Sequence, residues 1–493
     1  MLAVLAVLSL LTNFFSLELF TYSLAGVFGL YLCLFGKDML PLAPTVLFLY
    51  VSPSLGNNPV YNPDSVFFPE RWLWLFVAII VVFVVLFFLR LCLTVGLSRF
   101  LKERRKLLTG FLVLGAAFFL GGIGYEEYTA RNLLYAFLLF GSMFALYFLV
   151  PPMVDWKKAP KDYFFWAGLF LGLVVAAELI FAYCTNGVID AEGSIVRGNI
   201  RTGWGQHNTI GAVLAVCMPC AFYLAVKKKY GFIFSALGVL LYVAVVATNS
   251  RGSILMGGIV FLVCVVMTLV HKKNRLGNGL VFLAAAIAAG VLLGIFRDDL
   301  ENLFSVLLEI ELDPSGRDEL FKDGMEKFRL SPLFGSGFFS IGWGGWGDSA
   351  MTILPYFWHN TFVEMLAACG VVGLAAYLFH RFQTIRLFFT APTWEKSFLA
   401  ASAGVILLTS LLDCHLFNIG ITFIYSALLL FAEKSEESER EAEEDFLLPL
   451  FRELRRKIAR RAPSGAAGTG GTEIGAAAEE EGGCPSPDEK ESE

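Results

Sequence analysis

Charge is what this sequence has least of. Asp, Glu, Lys and Arg make up 16% of its 493 residues, against about 25% in soluble domains. That shortage excludes a chain built only of soluble domains. Histidine is scarce too: five residues, scattered along the chain. No cluster with metal-ligand spacing forms, so neither a metal nor another cofactor is expected. The nine cysteines form no framework, and most fall in apolar runs: Cys33, Cys92, Cys217, Cys220, Cys264 and Cys369. Cys217-Met-Pro-Cys220 has redox-motif spacing but no soluble βαβ setting, so these read as small buried apolar residues. No basic patch is interleaved with aromatics, which argues against a nucleic-acid partner. The net charge of −5 says little about partners, because much of it sits in one acidic run, "EKSEESEREAEED", from Glu433.

What the chain does have is apolar length. Hydrophobic residues make up 57% of it, gathered in runs that approach the roughly 20 residues needed to cross a bilayer. Candidate spans fall at 2–17, 19–36, 39–51, 72–95, 107–123, 131–150, 163–184, 207–226, 231–248, 252–270, 279–296, 360–380, 397–413 and 415–432. The reading is an all-α polytopic membrane protein of about 12–14 spans. The first run lacks a basic leader and a clear cleavage site, so it reads as a retained span. The basic segments from Ser98, Lys157, Lys227, His271 and Arg381 all fall on one side if fourteen spans are threaded. The positive-inside rule makes that side cytoplasmic, with both termini inside. Segments 185–206, 248–252 and 297–358 then lie outside, the last being the longest. Beyond the final span, 433–493 is a charged, largely disordered tail. It contains a possible amphipathic helix over 446–461, and a dispensable appendage is the favoured reading.

Several polar residues resist a bland reading, and all fall on the outer side. His359 and Asn360 stand at the start of the apolar segment from Thr361. Thr361 and Glu364 fit a capping box, which makes Glu364 structural. A helix N-terminus disfavours an imidazolium, so His359 is a neutral base or, equally, an interfacial histidine beside Phe357 and Trp358. Arg251, in "ATNSRGSILMGG", has no acidic residue within several positions. Its partner is either a distant carboxylate or, as we favour, an anionic ligand. Ser315 and Asp318 fit a second capping box, predicting a helix from Arg317 with Phe321, Met325 and Phe328 on its apolar face and an end at Ser331-Pro332. Arg317 on its first turn suits a phosphate, or pairs with Asp313 or Asp318. In "VRGNIRTGWGQHNTIGAVLA", Arg197 and Arg201 precede a Gly-rich turn and Asn208 leads a span. "FGSGFFSIGWGGWGDS" mixes glycines with Phe338, Phe339, Trp343 and Trp346. It is either a loop that closes over a sugar or a loop that grazes the membrane. Cations and a base beside an apolar bundle suggest a lipid diphosphate as ligand.

Four ordered stretches, "RTGWGQHNTIGAVLA", "TNSRGSILMGG", "GRDELFKDGMEKFRLSPLFGSGFFS" and "HNTFVEMLAACGVVGL", resemble the O-antigen ligase superfamily of lipopolysaccharide ligases and polysaccharide polymerases. The likeness runs from Arg201 to Leu374. It implies a GT-C-like helical bundle with a long extracytoplasmic loop. The implied activity is metal-independent glycosyl transfer from a polyprenyl-diphosphate-linked glycan to a lipid, glycan or protein acceptor, at the outer face of the cytoplasmic membrane. Carried over residue by residue, Arg251 and Arg317 bind the donor diphosphate, His359 is the base, and Arg201, Asn360 and Asn208 support. The expected organisation is N-terminal spans over 1–200, a ligase-like core over 201–432 that includes the loop 297–358, and the tail. The resemblance supplies no role for the long charged tail. A polymerase using the same donor is one rival. A flippase is another, disfavoured because the notable charges sit at span ends rather than along a mid-membrane path. A structural scaffold leaves the outer arginines unexplained.

Overall fold

Every residue from Ile210 to Val226 is buried. A helix apolar on all sides is stable only when surrounded by other elements, and this one forms the middle of the bundle. The computed structural model describes residues 1–15, 17–36, 38–52, 82, 85–96, 105–156, 158–160, 162–295, 317–340 and 357–438, all within one unit, Met1–Phe446.

The helices, in chain order, are α1 (Leu2–Phe15), α2 (Glu18–Phe35), α3 (Leu42–Val46, continued by a π turn Leu47–Val51), α4 (Val85–Thr94), α5 (Leu108–Leu120) and α6 (Ala130–Phe144, continued by a π turn to Leu149). Then come α7 (Tyr163–Thr185), α8 (His207–Lys227), α9 (Gly231–Ala247), α10 (Arg251–Val270) and α11 (Arg275–Ile295). The last are α12 (Arg317–Leu330), α13 (Thr361–Phe389), α14 (Trp394–Thr409) and α15 (Ile419–Ser438). A two-stranded hairpin, β1 (Arg201–Thr202) and β2 (Gly205–Gln206), precedes α8. Six helices among the described residues are long and apolar enough to cross a membrane, and five shorter ones are apolar. The chain is an all-α, multi-pass membrane protein. Of the expected spans, 72–95 is described only in part. The basic run from Ser98 as far as Arg104, most of 297–358, the 446–461 helix and the tail past Ser438 lie outside the described residues.

Helix α8 packs against α7, α9, α10 and α14. Small residues make close approach possible, as they do wherever helices associate in lipid. A Cβ on Gly211 would lie 2.7 Å from the Ser253 side chain, so α8 and α10 nearly touch at their N-terminal turns. Helix α11, by contrast, buries only Asn278 and shows lipid a nearly unbroken apolar surface. Cys217 and Cys220 are buried, free thiols inside α8.

Two expectations need correction. "RFQTIR" from Arg381 is not a loop, because α13 continues to Phe389. Arg381 is buried with its guanidinium over the Tyr377 and Tyr425 rings, 4.7 and 4.9 Å from their centroids. Aromatic faces thus replace the water that a loop arginine would have required. Of the glycine-rich stretch 334–349 only 334–340 are described, and there Gly335 and Gly337 do not form an open, closing loop. Helix α13 is broken at Gly370 (φ 67°, ψ −164°), which frees backbone groups on both sides of the break. Residues 332–337 dock there. Ser336 and Gly337 donate to the Ala367 and Ala368 carbonyls at 2.7 and 3.0 Å, and Val371 and Val372 donate to Pro332 and Leu333 at 2.9 and 3.2 Å. Broken backbone at membrane depth is tolerable only when satisfied by protein in this way. Phe338 is fully buried, 5.0 Å from Tyr135 and 5.9 Å from Phe118 by ring centroid, so it neither stacks on a ligand nor grazes the membrane. Trp343 and Trp346 lie outside the described residues.

Candidate functional site

Three helices, α8, α10 and α13, begin at one place on the bundle, and Asn208, Arg251, His359 and Asn360 sit at those beginnings. Ser250 caps α10 by accepting the Ser253 N–H. Its own hydroxyl donates to Asn208 Oδ1 at 2.9 Å, and the Ser253 hydroxyl donates to the Asn208 carbonyl at 3.2 Å. Asn208 therefore ties the start of α8 to the start of α10, where Arg251 is the first residue. Asn249, just before the cap, has a positive φ of 54°, a conformation asparagine tolerates.

The start of α13 repeats this design. Asn360, not Thr361, is the cap: its Oδ1 accepts the Phe362 and Val363 N–H groups at 2.9 and 3.2 Å. Glu364 does reach backwards, but to the Trp358 N–H at 2.9 Å. The helix starts one residue earlier than the capping-box pattern implies because an asparagine side chain satisfies two orphan donors at once. His359 immediately precedes the cap with φ 53°, a strained value costing on the order of 1–3 kcal/mol. That turn aims its ring at the α14–α15 connection, where His359 Nδ1 meets Asp413 Oδ1 at 3.0 Å. Asn360 Nδ2 donates to the Leu411 carbonyl at 2.9 Å in the same connection.

This connection also joins the two halves. A Cβ on Gly252 would sit 3.1 Å from Leu412. Arg251 and His359 therefore flank one turn, Leu411–Cys414. Among the described residues Arg251 is exposed and makes no ion pair. Arg197 is half-buried nearby: burial and the Arg251 charge both hold its pKa below the usual arginine range. Two guanidiniums thus repel each other beside three helix N-termini, an arrangement that favours an anion. Asp413 carries the opposing charge. Burial works against its ionisation, yet the His415 charge, the His359 hydrogen bond and charge, and the Cys414 N–H together hold its carboxyl well below the usual carboxylate range.

Helix α12 begins at Arg317 and ends at Leu330 before Ser331-Pro332, as expected. Its most buried residues are Leu320 and Gly324, with Phe321, Met325 and Phe328 half-buried. It docks on the start of α13: Trp358 Nε1 donates to Asp323 Oδ2 at 2.8 Å, and a Cβ on Gly324 would meet the Trp358 ring at 2.9 Å. Six residues of helix separate Arg317 from Asp323, about 9 Å of rise. The Arg317 side chain, like Ser315, lies outside the described residues. Arg201 is exposed on the β hairpin with its Nε on the Gly198 carbonyl at 2.7 Å. It joins the site through the chain, seven residues before Asn208, rather than by contact.

The structure therefore brings together Arg251, Asn208, His359 and Asn360, and adds Asp413, Arg197 and Ser250. Asp413 was visible in principle as an acid in the break between two apolar runs. Its partner is 54 residues away, a distance no local motif spans. Among the described residues, no group of three or more His, Cys, Asp or Glu side chains could hold a metal ion.

Residues 236–378 match the family described as O-antigen ligase. That region contains Arg251, Arg317, His359 and Asn360. Arg201 and Asn208 precede it and Asp413 follows it. No curated protein matches the chain.

Proposed function

From a chain that carries an O-antigen ligase superfamily region at residues 236–378, we propose a metal-independent, inverting glycosyltransferase. It moves a glycan from a polyprenyl diphosphate to an acceptor hydroxyl at the outer face of the cytoplasmic membrane. The observation that carries this reading is the convergence of three helix N-termini, with Arg251 at one and the His359–Asp413 pair at another.

The roles follow from charge. Arg251 and Arg317 hold the diphosphate, with Arg201 and Asn208 supporting. The acceptor oxygen attacks the anomeric carbon from the face opposite the diphosphate. As the new C–O bond forms, the bond from that carbon to the diphosphate oxygen breaks, and the bonding pair leaves with the diphosphate. Fixed guanidiniums and helix N-termini stabilise that growing negative charge where water is scarce. His359 takes the hydroxyl proton, and Asp413 orients the ring and stabilises the imidazolium, a division of labour familiar from carboxylate–histidine pairs. Asn360 fixes the turn from which His359 projects.

The test is reconstitution with a polyprenyl-diphosphate glycan and candidate acceptors. We expect His359→Ala to lose about 10²–10⁴-fold in kcat, and Arg251→Ala and Arg317→Ala to raise the donor KM and lower kcat together. Full transfer by both arginine variants would refute the site. The product separates the family's two activities: glycan on a foreign acceptor for a ligase, a longer lipid-linked chain for a polymerase. Transport without transfer would favour a flippase.

A further inference from the structure

A carboxyl group stands where nothing above uses one. Glu178 lies in α7, well inside a helix of membrane-spanning length, and is 1% exposed. An ionisable group at such a position is costly and calls for a purpose. No cation pairs with it among the described residues. Instead its Oε1 accepts two short hydrogen bonds, from Asn13 Nδ2 and from Ser52 Oγ, both at 2.6 Å. Its Oε2 is buried without a partner. Asn13 belongs to α1, and Ser52 ends the turn that follows α3.

Ser52 passes the connection on. Its Oγ accepts the indole N–H of Trp204 at 3.2 Å, and Trp204 is 1% exposed at the bend of the β hairpin. The hairpin presses on the same spot through its backbone, since a Cβ on Gly203 would lie 2.2 Å from the Ser52 carbonyl oxygen. The other side of the indole meets the start of α15, where a Cβ on Gly420 would sit 2.9 Å from the ring. Four residues after Trp204 comes Asn208, whose side chain holds the Ser250 cap in front of Arg251. The chain of contacts thus runs from Glu178 through Ser52 and Trp204 to the hairpin that bears Arg201, and on to the start of α10.

We propose that Glu178 is a positioning residue: with Ser52 and Trp204 it latches the Arg201 hairpin onto the N-terminal helices and so sets the affinity for the lipid-diphosphate donor. The inference rests on the proposed donor site, but the latch can be read without any transfer assay. Glu178 touches neither substrate nor reacting atoms. What the latch needs at position 178 is an acceptor oxygen of the right length, not a charge, so glutamine preserves it and leucine abolishes it.

The experiment uses the full chain in proteoliposomes. Thr202, buried on the hairpin, is changed to Cys in a Cys184→Ser background and labelled with a membrane-impermeant maleimide. The expected result is slow labelling in the parent and in Glu178→Gln, and labelling at least about tenfold faster in Glu178→Leu. In the transfer assay Glu178→Leu raises the donor KM about tenfold with kcat nearly unchanged, and Glu178→Gln restores it. Ser52→Ala and Trp204→Phe, which cut the same path nearer the surface, reproduce both effects and serve if Glu178→Leu does not fold. Unchanged labelling in the folded variants overturns the latch. So does faster labelling with an unchanged donor KM, or a Glu178→Gln variant as defective as leucine. Absence of transfer by every form, the parent included, would overturn the glycosyltransferase reading instead, and the labelling rates would still decide the latch.

Discussion

His359 and Asp413 act on each other, and their variants should show it. On the proposed roles, removing either disables the other, leaving an imidazole without its carboxylate or a carboxylate without a base to orient. We expect Asp413→Asn to lower kcat by less than the about 10²–10⁴-fold assigned to the base. His359→Ala combined with Asp413→Asn should be no worse than His359→Ala alone, a non-additivity read from a double-mutant cycle. Stability offers an independent check with a definite sign. The folded carboxyl of Asp413 lies below its ordinary range, so its contribution is fully present above the unfolded value of about 3.9. It fades as pH falls through the lower folded value. The apparent Tm advantage of the parent over Asp413→Asn should therefore be present near pH 5 and shrink as pH falls below about 4. Equal advantage at all pH values would remove Asp413 from this role. No local pattern shows this pair, because positive φ at His359 and a partner 54 residues away are products of the fold. The caps at Ser250 and Asn360 are different in kind: both are short polar side chains at the head of apolar runs, a local pattern, although the sequence reading placed the second cap at Thr361 and did not single out Ser250.

At the scale of elements, the break in α13 is what holds the long loop's described end. Gly370 sits at φ 67° and ψ −164°, a region open to glycine alone, and a Cβ there would lie 2.3 Å from the Leu333 carbonyl oxygen. Gly370→Ala should cost at least about 1–3 kcal/mol from backbone strain alone, before the docked segment 332–337 is displaced. Gly404→Ala is the control. Gly404 lies within α14 with nothing within 4 Å of an added Cβ, so helix propensity predicts a gain of up to about 1 kcal/mol. Thermal melts in detergent should separate the two; a Gly370→Ala protein as stable as the parent would mean that the break does not support the bundle. Hydropathy cannot reveal such a feature. It reads "GVVGL" as more apolar helix, since transfer energy is blind to dihedral angle. The same blindness hid the continuation of α13 past Arg381, where two tyrosine rings accept a charge that composition alone assigns to water.

The whole molecule sorts its charges by helix end. Helix α10 begins at Arg251 and, after about 30 Å of rise, delivers the chain to Lys272, Lys273 and Arg275. Helix α8 begins beside the Arg201 hairpin and ends at Lys227, followed by Lys228 and Lys229. The abundant positive clusters therefore lie opposite the site, and the positive-inside rule assigns them to the cytoplasm. That the positive clusters and the site fall at opposite helix ends was readable because it depends only on run lengths and on counts of Lys and Arg, which survive any error in a single boundary; which end faces the cytoplasm is the expectation to test. A native probe tests it. Cys184 is exposed at the end of α7, next to Asn186, whose side chain donates to the Arg201 carbonyl. In intact cells an impermeant thiol reagent should modify Cys184 in the parent and should modify Gly198→Cys in a Cys184→Ser background. Lys229→Cys and Lys272→Cys, exposed at the far ends of α8 and α10, should react only after the membrane is opened. If instead the lysine positions react in intact cells and Cys184 does not, Arg251 and His359 face the cytoplasm, and a donor presented on the outer leaflet could not reach them.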